Sequence, residues 1–100
     1  MWTISNPPAA ATASGLIYSG PCILHGYLVG TDGTNDPEVT IYDNTAASGN
    51  EAIPTCTYDA SLLGMNGATG MKVLCKNGLY VEITCAGAVE VTVFFTSYVG

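Results

Sequence analysis

Arginine is absent from this 100-residue chain, and Lys72 and Lys76 are its only strongly basic side chains, beside a single histidine, His25. Phosphate backbones are held by lysine and arginine that displace counterions, so nucleic acid is disfavoured as a partner, and an anionic membrane with it. Charge of either sign is scarce, at 10% of residues against the roughly 25% usual in globular chains. No apolar run approaches the roughly 18 residues that suggest a spanning helix. No CxxC pair occurs, and the one histidine leaves any cysteine metal site short of ligands. No glycine-rich phosphate loop is present either, because the glycines stand singly at turns.

The cysteines are Cys22, Cys56, Cys75 and Cys85. Four cysteines allow three two-bridge pairings. The start, MWTISNPPAAATAS, has no basic region followed by an apolar stretch, so a secretory signal is not expected and synthesis in a cytosol is. A reducing compartment favours free thiols, with disulfides as the alternative.

What is present is β-protein composition: 48% hydrophobic residues, rich in Thr, Val, Ala and Gly, with a net charge of -6. A chain of this length is one domain with a modest core. Strands are expected at residues 16–19, 22–29, 38–43, 52–57, 71–76, 79–85 and 89–98, separated by turn residues. This spacing predicts an all-β fold, a small antiparallel β-sandwich or jelly-roll-like barrel over residues 15–100. Pro54 cannot donate to a ladder, which places its strand at an edge or on a bulge. In CILHGYLV, strict alternation puts Cys22, Leu24, Gly26 and Leu28 on one face and Ile23, His25, Tyr27 and Val29 on the other. From Asp59 to Gly70 a glycine-punctuated loop is expected, with a helical turn at 60–63.

Residues 71–95, MKVLCKNGLYVEITCAGAVEVTVFF, alternate with period two and read as a β-meander. A two-residue turn at Asn77-Gly78 would mix polar and apolar side chains on both faces, so that register fails. A three-residue loop with Gly78 as a left-handed bulge residue sets Cys75 opposite Leu79, Val73 opposite Val81 and Met71 opposite Ile83. Met71, Val73, Cys75, Leu79, Val81, Ile83, Val91 and Val93 then face inward. Outward, Lys72 pairs with Glu82, and Leu74, Tyr80 and Phe94 form an apolar patch suited to a partner.

Residues 1–14 read as an extended N-terminal arm. Asn6-Pro7-Pro8 favours polyproline II, and the small residues after it have little to bury. Trp2 and Ile4 are the expected anchors on a partner, with Pro7 and Pro8 beside them; packing of the arm on its own domain is the alternative.

Catalytic chemistry finds few residues to carry it. His25 sits among apolar neighbours in a strand, where a structural or interface role is expected. The stretch Asp32 to Glu38 holds oxygen ligands of the kind calcium prefers but lacks the EF-hand glycine and distal glutamate, and reads as a solvated turn. Glu82 and Glu90 imply no cleft for glycoside cleavage. No enzyme activity, cofactor or metal is expected. Tyr27, Tyr42, Tyr80 and Phe94 leave a glycan-binding module as a rival of another class.

Four segments taken in order carry a resemblance: GPCILHGYLV at 20–29, TIYDNTAASG at 40–49, KNGLYVEI at 76–83 and VEVTVFF at 89–95. Together they resemble small virion proteins of tailed bacteriophages, and YDNTAASG after a GP-x-x-LHG strand is the most specific part. The resemblance implies a small β-sandwich with no catalytic residues that decorates or cements a capsid. Its partner would be the major capsid protein, with self-association as a dimer or trimer on the capsid surface, after synthesis in the host cytoplasm. A tail or head-fibre component is the alternative within the virion.

Overall fold

The computed structural model describes residues 2–61 and 66–99, with side chains from 6 to 61 and from 66 to 98. Among these, the strands in chain order are β1 Trp2–Ser5, β2 Ala9–Ala11, β3 Gly15–Ser19, β4 Cys22–Thr31, β5 Glu38–Tyr42, β6 Glu51–Thr57, β7 Asn66–Ala68, β8 Val73–Cys75, β9 Gly78–Thr84 and β10 Val89–Val99. They form two antiparallel sheets. In the first, β10 and β4 pair at the centre, β1 and β2 run along the outer side of β10, and β7 and β8 run along the outer side of β4. The second has the order β3-β9-β5-β6. The protein is a small β-sandwich.

Branched aliphatic side chains fill the space between the sheets, as suits a pleated, half-buried surface. Leu24 and Val29 of β4 with Val91, Val93 and Phe95 of β10 meet Val39 and Ile41 of β5 and Leu79 and Val81 of β9. Cys22 and Cys75, direct register partners on β4 and β8, are fully buried in the same core. Pro54 lies exposed on β6, the edge strand of the second sheet, where the missing N–H costs nothing.

Residues 71–95 do not form a meander. After β8, which begins at Val73 and pairs with β4, the chain crosses to the second sheet; β9 lies there between β3 and β5, and β10 returns to the first. Cys75 therefore opposes Cys22, and Val81 opposes Gly15 and Ile41. The expected inward set survives, because Cys75, Leu79, Val81, Val91 and Val93 are buried in the core and Met71, Val73 and Ile83 pack against it. Gly78 is required for a different reason from a hairpin bulge. It has φ 148°, pairs with Ser19, and a Cβ there would press on the Tyr18 carbonyl oxygen. The Lys72–Glu82 pair is not made, since Glu82 lies opposite Thr40.

A crease runs across the first sheet. The β10–β4 register shifts at Phe94/Phe95, leaving His25 as the extra residue between Leu24 and Gly26. The insertion turns Tyr27 and Val29 inward with Cys22 and Leu24, so the strict two-face division of CILHGYLV is corrected by a bulge. On one side the edge breaks between β7 and β8, where Met71 N–H donates to the His25 carbonyl at 3.0 Å. On the other it breaks at Asn6-Pro7-Pro8, between β1 and β2. The arm is thus extended as expected, but it is a sheet edge of its own domain: Trp2 pairs with Val99, Ile4 with Ser97 and Ala10 with Thr92. The Ser97 N–H is held by the Asn6 carboxamide oxygen at 3.0 Å.

Aspartates close the corners where the chain changes sheet or direction. The Asp43 carboxylate accepts from Lys76 N–H at 3.1 Å and Asn77 N–H at 2.9 Å, fixing the two-residue crossing from β8 to β9. Charge-assisted bonds to backbone donors are among the stronger ones, and removing the acceptor strands both donors. Asp43→Ala is expected to lower unfolding free energy by about 1–3 kcal/mol in urea melts, against no more than about 0.5 kcal/mol for Glu90→Ala at an exposed strand position. Equal losses in the two variants would contradict this role for Asp43.

Candidate functional site

The sandwich presents two outer sheet faces, and the exposed apolar side chains divide between them. Leu74 on β8 is 58% exposed and Leu16 on β3 is 50% exposed. On the first sheet Leu74 lies opposite Ile23, whose other neighbour is Thr96. Phe94 is half-buried on the same face, opposite Gly26. His25 donates to or accepts from the Thr96 hydroxyl through Nε2 at 3.0 Å, tying the crease to β10. Among the described residues no carboxylate bonds the His25 ring, and the bond to Thr96 links β4 to β10.

On the second sheet one row runs Leu16, Tyr80, Tyr42, Glu51 across β3, β9, β5 and β6. Tyr42 donates its hydroxyl to Glu82 Oε1 at 3.2 Å. Partial desolvation first, then the Glu82 and Glu51 carboxylates, raise the Tyr42 phenol above its ordinary pKa. Tyr80 therefore does not join Leu74 and Phe94, as residues on one meander would, because β9 belongs to the opposite sheet. Pro7 and Pro8 are exposed between β1 and β2. Trp2 and Ile4 are placed by backbone register only, and their side chains lie outside the described residues. Of the helical turn expected at 60–63, residues 62 and 63 also lie outside them.

Of the four aromatic side chains considered for glycan stacking, one is buried and one stands apart from the other two. Tyr27 points into the core, where its hydroxyl and that of Tyr58 lie 2.5 Å apart and the rings meet edge-on at 6.3 Å. Burial, then the Tyr27 hydroxyl, pushes the Tyr58 phenol well above its ordinary value. Phe94 faces away on the first sheet. Tyr42 and Tyr80 remain, as register partners.

The acidic residues fall into two uses. Asp32 accepts from Thr34 N–H, Asn35 N–H and Asn35 Nδ2, each at 2.8 Å, so the stretch considered for calcium is a self-capped turn. Asp36 accepts from Ala60 N–H at 2.8 Å and Asp59 from Ser61 N–H at 2.9 Å. Glutamates point elsewhere: Glu82 lies on the second sheet and Glu90 on the first, so they share no cleft. Among the described residues no group of three His, Cys, Asp or Glu side chains could hold a metal ion. An open hollow of about 380 Å³ lies between Thr12, Gly30, Thr31, Ala88, Val89 and Glu90, with the Glu90 carboxylate as its one acidic group.

The cysteines are free thiols: Cys22 and Cys75 buried, Cys85 half-buried and Cys56 exposed on β6. The Cys75 side chain and burial raise the Cys22 thiol far above its ordinary value, which keeps it protonated and unreactive. Comparison with known proteins finds no family model, no curated protein and no solved structure that matches the chain. Leu16, Tyr42, Glu51 and Glu82 were not legible as one surface, because their shared face depends on the strand order β3-β9-β5-β6.

Two expectations follow for solution experiments. Tyr58→Phe strands the buried Tyr27 hydroxyl and should cost about 1–2 kcal/mol, and adding Tyr27→Phe should cost little more, a coupling that a double-mutant cycle reads. Hydrogen bonds from Asn35 and Thr34 lower the Asp32 carboxyl from 3.8 to about 2. Its folded value lies below its unfolded one, so its contribution is full above about pH 4 and fades as pH falls towards 2. Across that window the urea midpoint of the wild type should fall more steeply than that of Asp32→Asn.

Proposed function

We propose that this chain is a structural protein of a bacteriophage virion, of the capsid decoration kind, which docks on the outer surface of the major capsid lattice. Support comes from the four resembling segments together with a β-sandwich of the kind that the resemblance implies. The observation that carries the decoration role is the placement of Leu16 and Leu74, the two most exposed large apolar side chains among the described residues, on the outer faces of opposite sheets. A domain that cements a seam touches neighbours on two sides, whereas a single-partner module needs one face. Because β1 and β2 already pair with β10, the sheet faces and the exposed Pro7-Pro8 step supply the docking contacts rather than a free arm. The role is non-catalytic, and stabilisation comes from added interface area across subunit boundaries.

Burying one leucine contributes roughly 1.5–3 kcal/mol, so Leu16→Glu and Leu74→Glu should each weaken retention on shells by about tenfold or more while leaving the fold intact. Copy number per virion by quantitative mass spectrometry separates the placements. Hundreds of copies support decoration, and a handful places the chain in a tail or fibre instead. Retention unchanged in both leucine variants would overturn the two-faced mode of docking.

A further inference from the structure

The outer face of the second sheet gathers negative charge around aromatic rings, with no positive charge of its own. Tyr80 lies opposite Tyr42, and Tyr42 opposite Glu51. Glu82 lies opposite Thr40, and Glu38 opposite Thr84 and Thr57. Side chains alternate along a strand, and Val39, Ile41, Leu79 and Val81 point into the core, so Glu38, Tyr42, Tyr80 and Glu82 share the outer surface. With strands about 4.8 Å apart and a rise of about 3.4 Å per residue, two phenol rings and three carboxylates fit within roughly 15 by 15 Å. The chain has two lysines and no arginine, and neither lysine belongs to β3, β9, β5 or β6, Lys76 lying at the corner where its N–H meets Asp43. All four aspartates are spent on turn donors, whereas these three glutamates stand on one face and none of them caps a turn donor.

Such a surface is complementary to a cation with an apolar stem. A guanidinium or ammonium group is drawn to the face of a tyrosine ring, and flanking carboxylates accept its N–H donors. Leu16, half exposed at the end of the Tyr80–Tyr42 row, lies where the aliphatic part of a long side chain can be covered. A sugar would ask for donors as well as acceptors. Two hydroxyls on the face are already engaged, Thr40 with Thr55 at 2.6 Å and Tyr42 with Glu82 at 3.2 Å.

We propose that this face docks a protein partner through arginine or lysine side chains laid over Tyr42 and Tyr80 and bonded by Glu51 and Glu82. It extends the lattice reading by assigning a partner chemistry to the Leu16 side, and it is tested on the isolated protein, so its failure leaves the copy-number result standing. The test titrates the full chain with a hexa-arginine peptide while following backbone amides by 15N NMR, with cellohexaose in a parallel series. Saturable shifts centred on Tyr42, Tyr80 and Glu82 are expected. Losing two exposed charge contacts should weaken binding about fivefold in E51Q/E82Q, while E90Q on the other sheet leaves it unchanged. Raising salt from about 20 to about 150 mM should weaken it further, since exposed pairs are screened. An equal loss in E90Q, shifts spread over both sheets, or no saturable shift at all would overturn the proposal. So would saturation by cellohexaose, retained in E51Q/E82Q, with no response to the peptide.

Discussion

One extra residue in β4 decides how the first sheet closes over the core. Without His25 as a bulge, Cys22 and Leu24 could not share the interior with Tyr27 and Val29, because a period of two would send the later pair outward. Every neighbouring strand accommodates the same line. The register of β10 shifts at Phe94/Phe95, one edge is divided into β7 and β8, and the other into β1 and β2. Pro7 and Pro8, which lack N–H groups, occupy the break where no ladder donor is asked of them. His25 makes its own repair, with its carbonyl on Met71 N–H and its ring on the Thr96 hydroxyl. Buried polar groups on such a seam must find partners, and these two bonds supply them.

The inward residues of 71–95 were legible in the sequence and their pairing was not, for one physical reason. Alternation reports which side of a strand is buried, and two sheets packed face to face share a single interior. A chain that turns a corner between them keeps its inward residues inward, just as a hairpin within one sheet does. The pattern at Asn77-Gly78 is incompatible with a two-residue hairpin but fits a corner between sheets as well as a three-residue loop. Asp43, remote in sequence, is what holds the corner, through the backbone donors of Lys76 and Asn77. For β4 a signal was present: strict alternation in CILHGYLV left apolar residues on both faces, with Gly26 at the point where the phase changes. A bulge at His25, next to that glycine, resolves the conflict.

The same ambiguity governs the surface. Leu74, Tyr80 and Phe94 alternate in step along the chain, but the crossing from β8 to β9 and back to β10 sends Tyr80 to the far side of the sandwich. What replaces the single patch is a pair of opposed faces of unlike character. Leu74, Ile23 and Phe94 lie on an apolar face with Glu90 near one end, while Leu16, Tyr80 and Tyr42 lie among Glu38, Glu51 and Glu82. A protein with two different faces can bridge two different neighbours, or two different sites on one neighbour, without competing for the same contacts.

Side-chain length explains how so few charges give the molecule a direction. Aspartate is short enough to bond backbone donors one to three residues away, and Asp32 and Asp59 do so locally while Asp36 and Asp43 do so across loops. Each of these carboxylates is oriented by the N–H groups it bonds, and its charge remains. Glutamate carries one more methylene on a strand whose backbone is already paired, so its carboxylate finds no free backbone donor beside it, and Glu82 takes the Tyr42 hydroxyl instead. Glu38 and Glu82 inherit a common face from the register of β5 and β9, and Glu51 joins them through the bulge that sets it opposite Tyr42. Three of the chain's four glutamates share the sheet face that carries Tyr42 and Tyr80, whereas Asp32, Asp36 and Asp59 are exposed at turns and Glu90 on the other sheet. What sets that face apart is the pairing of carboxylates with aromatic rings rather than charge alone.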